Sequence, residues 1–408
     1  MMKLPRRRVV LSSLFLTLIV FAVSGNAVPP LISAISASTG VRVSDFGALI
    51  SVQFIAFAVA SFSGSSIKYR LHLTNYALIS GGIVVIAAAF GLGSVVLSSY
   101  LSLVLWIIPL GLAGGFVETF ASIEIADLSD DDSSKNLCLA NVFFSIGAFS
   151  APQMVYVSLV IGLHWEEILL VFSAFCALVV LLFLLANHRF LRSERHPTVA
   201  DSDEHTNHYR HPTPAVRALY VAMLAMMLCY VTLESLSAAW FSYVFESSYG
   251  LTTRDAALAL ALFWGGTVAG RALVLFLPTR LTLWPTLLAA SSLMLVGACT
   301  LWFLEPVAAS LISVAAFGVA AGPMWPVIVM TAAATFKSDH KTAVLIGIGA
   351  IGFASGPFVG SYFVGPATIS AFHVVQILMA VVLVALTFGG YALHTVSARK
   401  SAGVGNAT

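Results

Sequence analysis

Two carboxylates stand inside long apolar runs of this 408-residue sequence: Glu118, in Gly114-Gly115-Phe116-Val117-Glu118, and Glu234, in Tyr230-Val231-Thr232-Leu233-Glu234-Ser235. Glu118 lies about eleven residues ahead of the polar loop beginning at Ser129, about 16 Å along a helix and so near the middle of a hydrocarbon core of roughly 30 Å. A charge at that depth costs roughly 2.5–3.5 kcal/mol on insertion scales, so the side chain is expected to face a cavity or a partner. A carboxyl held where its charge is costly can trade a proton as its surroundings change, which is what proton coupling requires. The bland alternative is a structural hydrogen bond within a helix bundle. The depth of Glu234 is open, and it is a second candidate for proton or substrate binding.

Amides inside apolar runs come next. Asn26, Gln53, Asn141 and Gln153 each offer both a donor and an acceptor, which suits a hydroxylated solute but equally suits contacts between helices. Trp240, Trp264 and Trp325 present faces on which a ring could stack, Trp264 and Trp325 being the stronger candidates for a cavity wall. Gly270-Arg271 ends an apolar run, with Arg280 beyond; a fixed cation there can latch one conformation, or can simply mark the membrane edge. Gly352, Gly356 and Gly360 form a small-residue stripe suited to close backbone approach.

The elements that position these residues are membrane helices. Hydrophobic residues make up 59% of the chain, charged residues 9%, and the mean hydropathy is +0.96. Soluble domains carry about 25% charged residues. Lipid offers exposed backbone groups no partner, and no short alternating segments suggest barrel strands, so the apolar runs read as helices. Punctuation by glycine, proline and charge places twelve at 9–36, 45–67, 74–93, 95–125, 137–161, 165–187, 215–245, 255–277, 283–303, 306–334, 342–365 and 368–394. The basic N-terminus, Lys3 to Arg8, leads into a retained first helix rather than a cleaved signal.

With the N-terminus cytoplasmic, all twenty lysines and arginines except Arg42 and Arg254 fall on the cytoplasmic side. That asymmetry supports both the span count and cytoplasmic placement of both termini in a multi-pass inner-membrane protein. Residues 1–187 form one six-helix bundle, 188–214 a polar linker, and 215–408 a second bundle. The linker's five histidines suit a solvated connection better than a metal tract, and Asp127 to Asp132 read as a solvated turn. The halves echo one another: Ile-Gly-x-x-Ser-x-Pro occurs at Ile146–Pro152 and again at Ile351–Pro357, and Gly111 to Gly115 resembles Gly318 to Gly322. Parallel six-span repeats place a binding site between them near the midplane.

The sequence lacks a nucleotide-binding fingerprint and a hydrolase constellation, so neither ATP-driven work nor an enzyme is expected. Its four cysteines show no metal spacing, and its basic residues are spread over loops rather than gathered for nucleic acid. No metal, cofactor or nucleic-acid partner is expected; the expected partners are the lipid bilayer, a small-molecule substrate and protons, around a monomer.

The run Gly115–Ala121, followed by Leu137–Ala148, resembles the fourth- and fifth-span signature of the fucose–galactose–glucose:proton symporters of the major facilitator superfamily. Tyr230-Val231 with Glu234, Phe263-Trp264-Gly265-Gly266 leading to Gly270-Arg271, and Trp325-Pro326 extend the likeness into the second half. The resemblance implies the major facilitator fold and matches Glu118 to an acid linked to sugar recognition and proton movement. It also exposes departures. Asn26 stands four residues before Pro30 where that family carries an aspartate, Phe144 replaces its fifth-span asparagine, and Glu234 replaces an amide. Proton-coupled import of a sugar or similar polar metabolite is the first expectation. The alternatives are proton-driven export of amphipathic compounds and a non-transporting receptor or scaffold.

Overall fold

Residues 4–128, 133–189, 214–274, 283–303, 306–336, 338–365 and 368–405 are described by a computed structural model, and every regular element among them is helical. Twelve helices are long and apolar enough to cross a bilayer: α1 Arg7–Thr39, α2 Asp45–Leu71, α3 Asn75–Val96, α4 Tyr100–Asp127, α5 Leu139–Val160, α6 Trp165–Asn187, α7 Pro214–Tyr249, α8 Thr253–Val274, α9 Leu283–Phe303, α10 Val307–Phe336, α11 His340–Ser361 and α12 Ile369–Val396. The expected spans are all present. Several helices outrun their apolar windows because backbone hydrogen bonding continues into polar surroundings: α2 reaches Leu71, where His72 closes it at φ 50°. Most of the linker 188–214, the Ser129–Asp132 turn, the side chain of Cys138, and Arg280 lie outside the described residues.

Apart from the linker between α6 and α7 the connections are short, and successive helices alternate in direction. The end at which α1 begins is called here the terminal end, and the other the far end. At the far end Gly40 and Gly250 adopt φ values of +70° and +64°, a left-handed conformation that glycine takes without a Cβ clash. Among the described residues only α1 is interrupted. Pro29 and Pro30 have no amide hydrogen to give, so the helix from Leu4 stops at Asn26, passes through one 3-10 turn at Pro29–Leu31, and resumes at Ile32.

Helices α1 to α6 pack chiefly on one another, as do α7 to α12, and the two groups meet along α2 against α11 and α5 against α8. The repeated glycines explain the parallel architecture. A Cβ on Gly111 or Gly115 of α4 would strike the carbonyls of Gln53 and Phe57 on α2. A Cβ on Gly318 or Gly322 of α10 would strike those of Phe263 and Thr267 on α8. In both halves the contacted carbonyls are four residues apart, so the same motif makes the same helix pair. The second echo behaves likewise: Gly147 of α5 abuts Ile19 on α1, and Gly352 of α11 abuts Val231 on α7.

The groups are joined unevenly. At the far end Ser51 Oγ of α2 donates to the Ala354 carbonyl of α11 at 2.6 Å, Gly47 sits against Pro357 and Ser361, and the 3-10 turn of α1 packs on α7 and α8. Towards the terminal end, α4 and α10 make no more than marginal contact among the described residues. There the groups are joined through α5 against α8, where Arg271 reaches Asn141 and Ser145, rather than through α4 against α10.

Candidate functional site

A cavity opens where the two groups of helices face each other. Its empty space, counted out to its open mouth, is about 470 Å³. Near the break in α1 it is bounded by Gly25, Asn26 and Pro29; α7 contributes Glu234, Ser235, Ala238 and Ala239. Phe21, Phe54, Phe144, Trp264 and Phe353 supply aromatic walls from five different helices. The break is well placed for a binding site, because unwound backbone within a membrane persists where it lines a cavity.

Glu234 is 0% exposed and Arg271, reaching in from α8, is 5% exposed. Arg271 Nη2 stands 3.5 Å from Glu234 Oε1, in ion-pair range but not aligned as a hydrogen bond. Neither Glu234 oxygen takes an aligned hydrogen bond among the described residues; the neighbouring Tyr230 hydroxyl, close enough to interact with the carboxyl, donates instead to the Ala321 carbonyl. The guanidinium is turned instead toward α5: Nη1 donates to Ser145 Oγ at 2.7 Å and to the Asn141 carbonyl at 3.1 Å. The Phe144 ring lies 5.5 Å from the guanidinium carbon. A cation of one helix group is thus tied to the other, while the carboxylate that balances it lines the cavity. Burying such a pair is costly, and removing one member leaves the other uncompensated.

The remaining sequence candidates divide. Asn26 and Trp264 line the cavity; the Asn26 amide donates to the Ala22 carbonyl of its own helix at 2.9 Å, and Trp264 Nε1 has no partner among the described residues. Gln53 is adjacent through the Ser24 carbonyl, to which Nε2 donates at 3.0 Å, and its Oε1 is unpartnered among the described residues. Asn141 serves by its backbone carbonyl, while its side chain bonds Leu137 on its own helix. Trp325 stands behind the wall, its ring 5.9 Å from that of Phe353. Trp240 is packing, with Nε1 donating to the Pro357 carbonyl. Gln153 faces a separate shallow groove between α5 and α6.

Glu118 is half-buried and outside the cavity lining. It accepts a long hydrogen bond, 3.4 Å, from Ser122 Oγ one turn along α4. It shares the face of Gly114, which abuts Phe21 of α1, and sits one turn closer to the terminal end. The sequence did not single out Ser145, Phe21, Phe54 or Phe353. No signal separates them from the serines and phenylalanines that fill helix interfaces throughout the chain.

A family model described as the Major Facilitator Superfamily matches residues 14–361. No curated protein matches the sequence. Among solved structures, the chain resembles a bacterial homologue of the human lysosomal transporter Spinster in an inward-facing, unoccupied conformation, with TM-score 0.69, 15% identity and 98% of each chain covered. It also resembles the xylose transporter XylE from E. coli, partially occluded and inward open, with TM-score 0.68, 14% identity, and 94% of this chain and 99% of that one covered. The human organic anion transporter MFSD10 (TETRAN) follows at TM-score 0.65 and 15% identity, covering 93% of this chain and 99% of its own. At such identities these likenesses concern the fold.

Proposed function

The chain belongs to the Major Facilitator Superfamily, and from that premise we propose that it is a proton-coupled secondary transporter of small organic solutes, working by alternating access. The observation that carries this reading is the state of Glu234: a carboxylate in the wall of a cavity between two helix groups, both oxygens unpartnered among the described residues, beside a cation fastened across the interface. Protonating Glu234 removes its hold on Arg271 and leaves that cation bound to α5 alone. The same event changes the charge of the cavity and the balance of the interface. Arg271 is therefore the latch and Glu234 the coupling group. Glu118, one turn beyond Gly114 toward the terminal end of α4, is a second proton-exchanging carboxyl on that side of the cavity.

Between the two transport expectations, the lining favours amphipathic solutes driven out by protons over imported sugars. Its polar groups are few: Asn26, Glu234, Ser235 and the Trp264 N–H. A hexose would bury several hydroxyls against phenylalanine rings without partners, and each unmatched polar group is expensive. An apolar body suits those rings. The charge asymmetry supports cytoplasmic termini in an inner membrane, and the enclosed two-group site is complete in a monomer.

Purified protein in liposomes carrying a pH-sensitive dye, with an amphipathic solute and an imposed pH gradient, tests this. Solute movement and proton movement are expected together, both lost in Glu234→Gln. Solute transport at an undiminished rate in Glu234→Gln, with proton movement intact, would remove Glu234 from the mechanism. Absence of any solute or proton flux across a broad solute set would favour a receptor.

A further inference from the structure

Resting on the transporter reading above, we propose that the cavity selects organic monocations, amines with an aromatic or aliphatic body, whose ammonium takes the place of the proton on Glu234. The case begins with which charge a solute would meet. Arg271 is not part of the wall: its guanidinium lies beside the Phe144 ring, with Nη1 donating to Ser145 and the Asn141 carbonyl and Nη2 held 3.5 Å from Glu234. The formal charge among the lining residues is the Glu234 carboxylate, flanked by Arg271 from outside the wall, and its oxygens, which accept but cannot donate, take no hydrogen bond among the described residues. A solute with N–H donors and positive charge satisfies them; a carboxylate solute would be repelled.

The aromatic walls point the same way. Phe54 of α2 and Phe353 of α11 stack with ring centres 5.3 Å apart, and Phe144 meets Phe21 at 5.5 Å and Trp264 at 6.1 Å. These faces attract an ammonium and accept an apolar body, and both effects strengthen in a dehydrated site. The Trp264 N–H is left for an ether, hydroxyl or carbonyl on the same solute.

The exchange balances. The ammonium keeps its own protons and donates N–H bonds to Glu234; the proton leaves the carboxyl for water on the side to which the cavity is open. One positive charge replaces another, so the site's charge is unchanged through the cycle. A carboxyl that holds either a proton or an ammonium, but not both, makes the two fluxes exchange.

The test uses the full chain in detergent and four probes: phenylpropylammonium, phenylpropanol, phenylpropionate and a hexose. Calorimetric titration in buffers of different ionisation enthalpy reports affinity and proton release together. The expected result is ammonium binding at least about tenfold tighter than the alcohol, as a charge-assisted contact provides. About one proton is expected to leave per ammonium bound at pH values where Glu234 is protonated. Glu234→Gln is expected to erase the preference over the alcohol. Phe353→Leu is expected to weaken the ammonium more than the alcohol, a difference that a purely structural ring would not produce. Tighter binding of phenylpropionate or the hexose, or ammonium binding without proton release from pH 5 to 9, overturns the proposal. If Glu234→Gln fails to fold, proton release by the unaltered protein decides alone. Vesicles separate the two readings. Proton flux driven by phenylpropionate or hexose overturns the cation class and leaves the transporter; ammonium binding without exchange upholds the class and removes the transporter.

Discussion

Ser145 carries an energetic load at the residue scale out of proportion to its size, because its hydroxyl receives the shortest bond of a cation that has been taken out of water. Hydrogen bonds to charged groups contribute about 1.5–3 kcal/mol, so Ser145→Ala is expected to lower the stability of the solubilised protein by that order. Arg271→Met leaves Glu234 buried without compensation and is expected to cost about 3–5 kcal/mol, whereas Glu234→Gln with Arg271→Met together is expected to recover much of the loss. Thermal unfolding of the two single variants and the double variant forms a cycle that isolates the coupling between the residues; additive losses would show that the pair does not act as one. The acid of this pair was legible from sequence because a carboxylate in an apolar run has few bland explanations. Asn26 and Trp264 were legible for a related reason, being polar or amphipathic where apolar residues are the rule. The phenylalanine walls were not. In a membrane helix a phenylalanine facing lipid, a neighbouring helix or a cavity is the same letter in the same apolar context, and this chain has 28 of them. The partners of the latch on α5 escaped for a different reason: they are a serine hydroxyl and a backbone carbonyl, which sequence does not distinguish from the many others in these helices.

Helix pairing was more readable at the scale of elements, since it depends on the absence of side chains. Gly111 and Gly318 press against backbone on the neighbouring helix, where nothing can yield by rotating a side chain. Gly111→Ala and Gly318→Ala are each expected to cost about 1–3 kcal/mol from overpacking. Gly81, also helical, has nothing within 4 Å of the site of an added Cβ, so Gly81→Ala is expected to be neutral or to gain a few tenths of a kcal/mol from helix propensity. Melting temperatures of the three variants check the contrast, and equal shifts would undo the account of why these glycines recur in both halves. The break in α1 was half-visible. Two consecutive prolines announce the loss of helix hydrogen bonds, but that the helix resumes after a single 3-10 turn, with Asn26 and Pro29 left in the cavity wall, depends on what α7 and α8 offer the turn. Helix ends were the least legible, because the apolar window records where lipid stops and the backbone ladder does not stop with it.

The two groups of helices meet at a far-end seam of α2 against α11, and alternating access as proposed requires that seam to open. The closure rests on α2 against α11, where Gly47 admits Pro357 and Ser361 at backbone distance and Ser51 donates to the Ala354 carbonyl. Nothing in the sequence announces which end is shut, since both states use the same residues and differ only in which contacts are made. The small residues at this seam do, however, imply that the contact is tight rather than water-filled, so it must separate completely for solute to reach the far side. A covalent tie across the seam therefore discriminates a moving gate from a static interface. In a background with the four native cysteines replaced, Ser51→Cys with Ala354→Cys is expected to cross-link under mild oxidation, to halt exchange in liposomes, and to resume after reduction. Were exchange to continue at its full rate in protein shown by mobility shift to be cross-linked, the far-end seam would not be a gate. The permeation route would then have to run elsewhere than between α2 and α11.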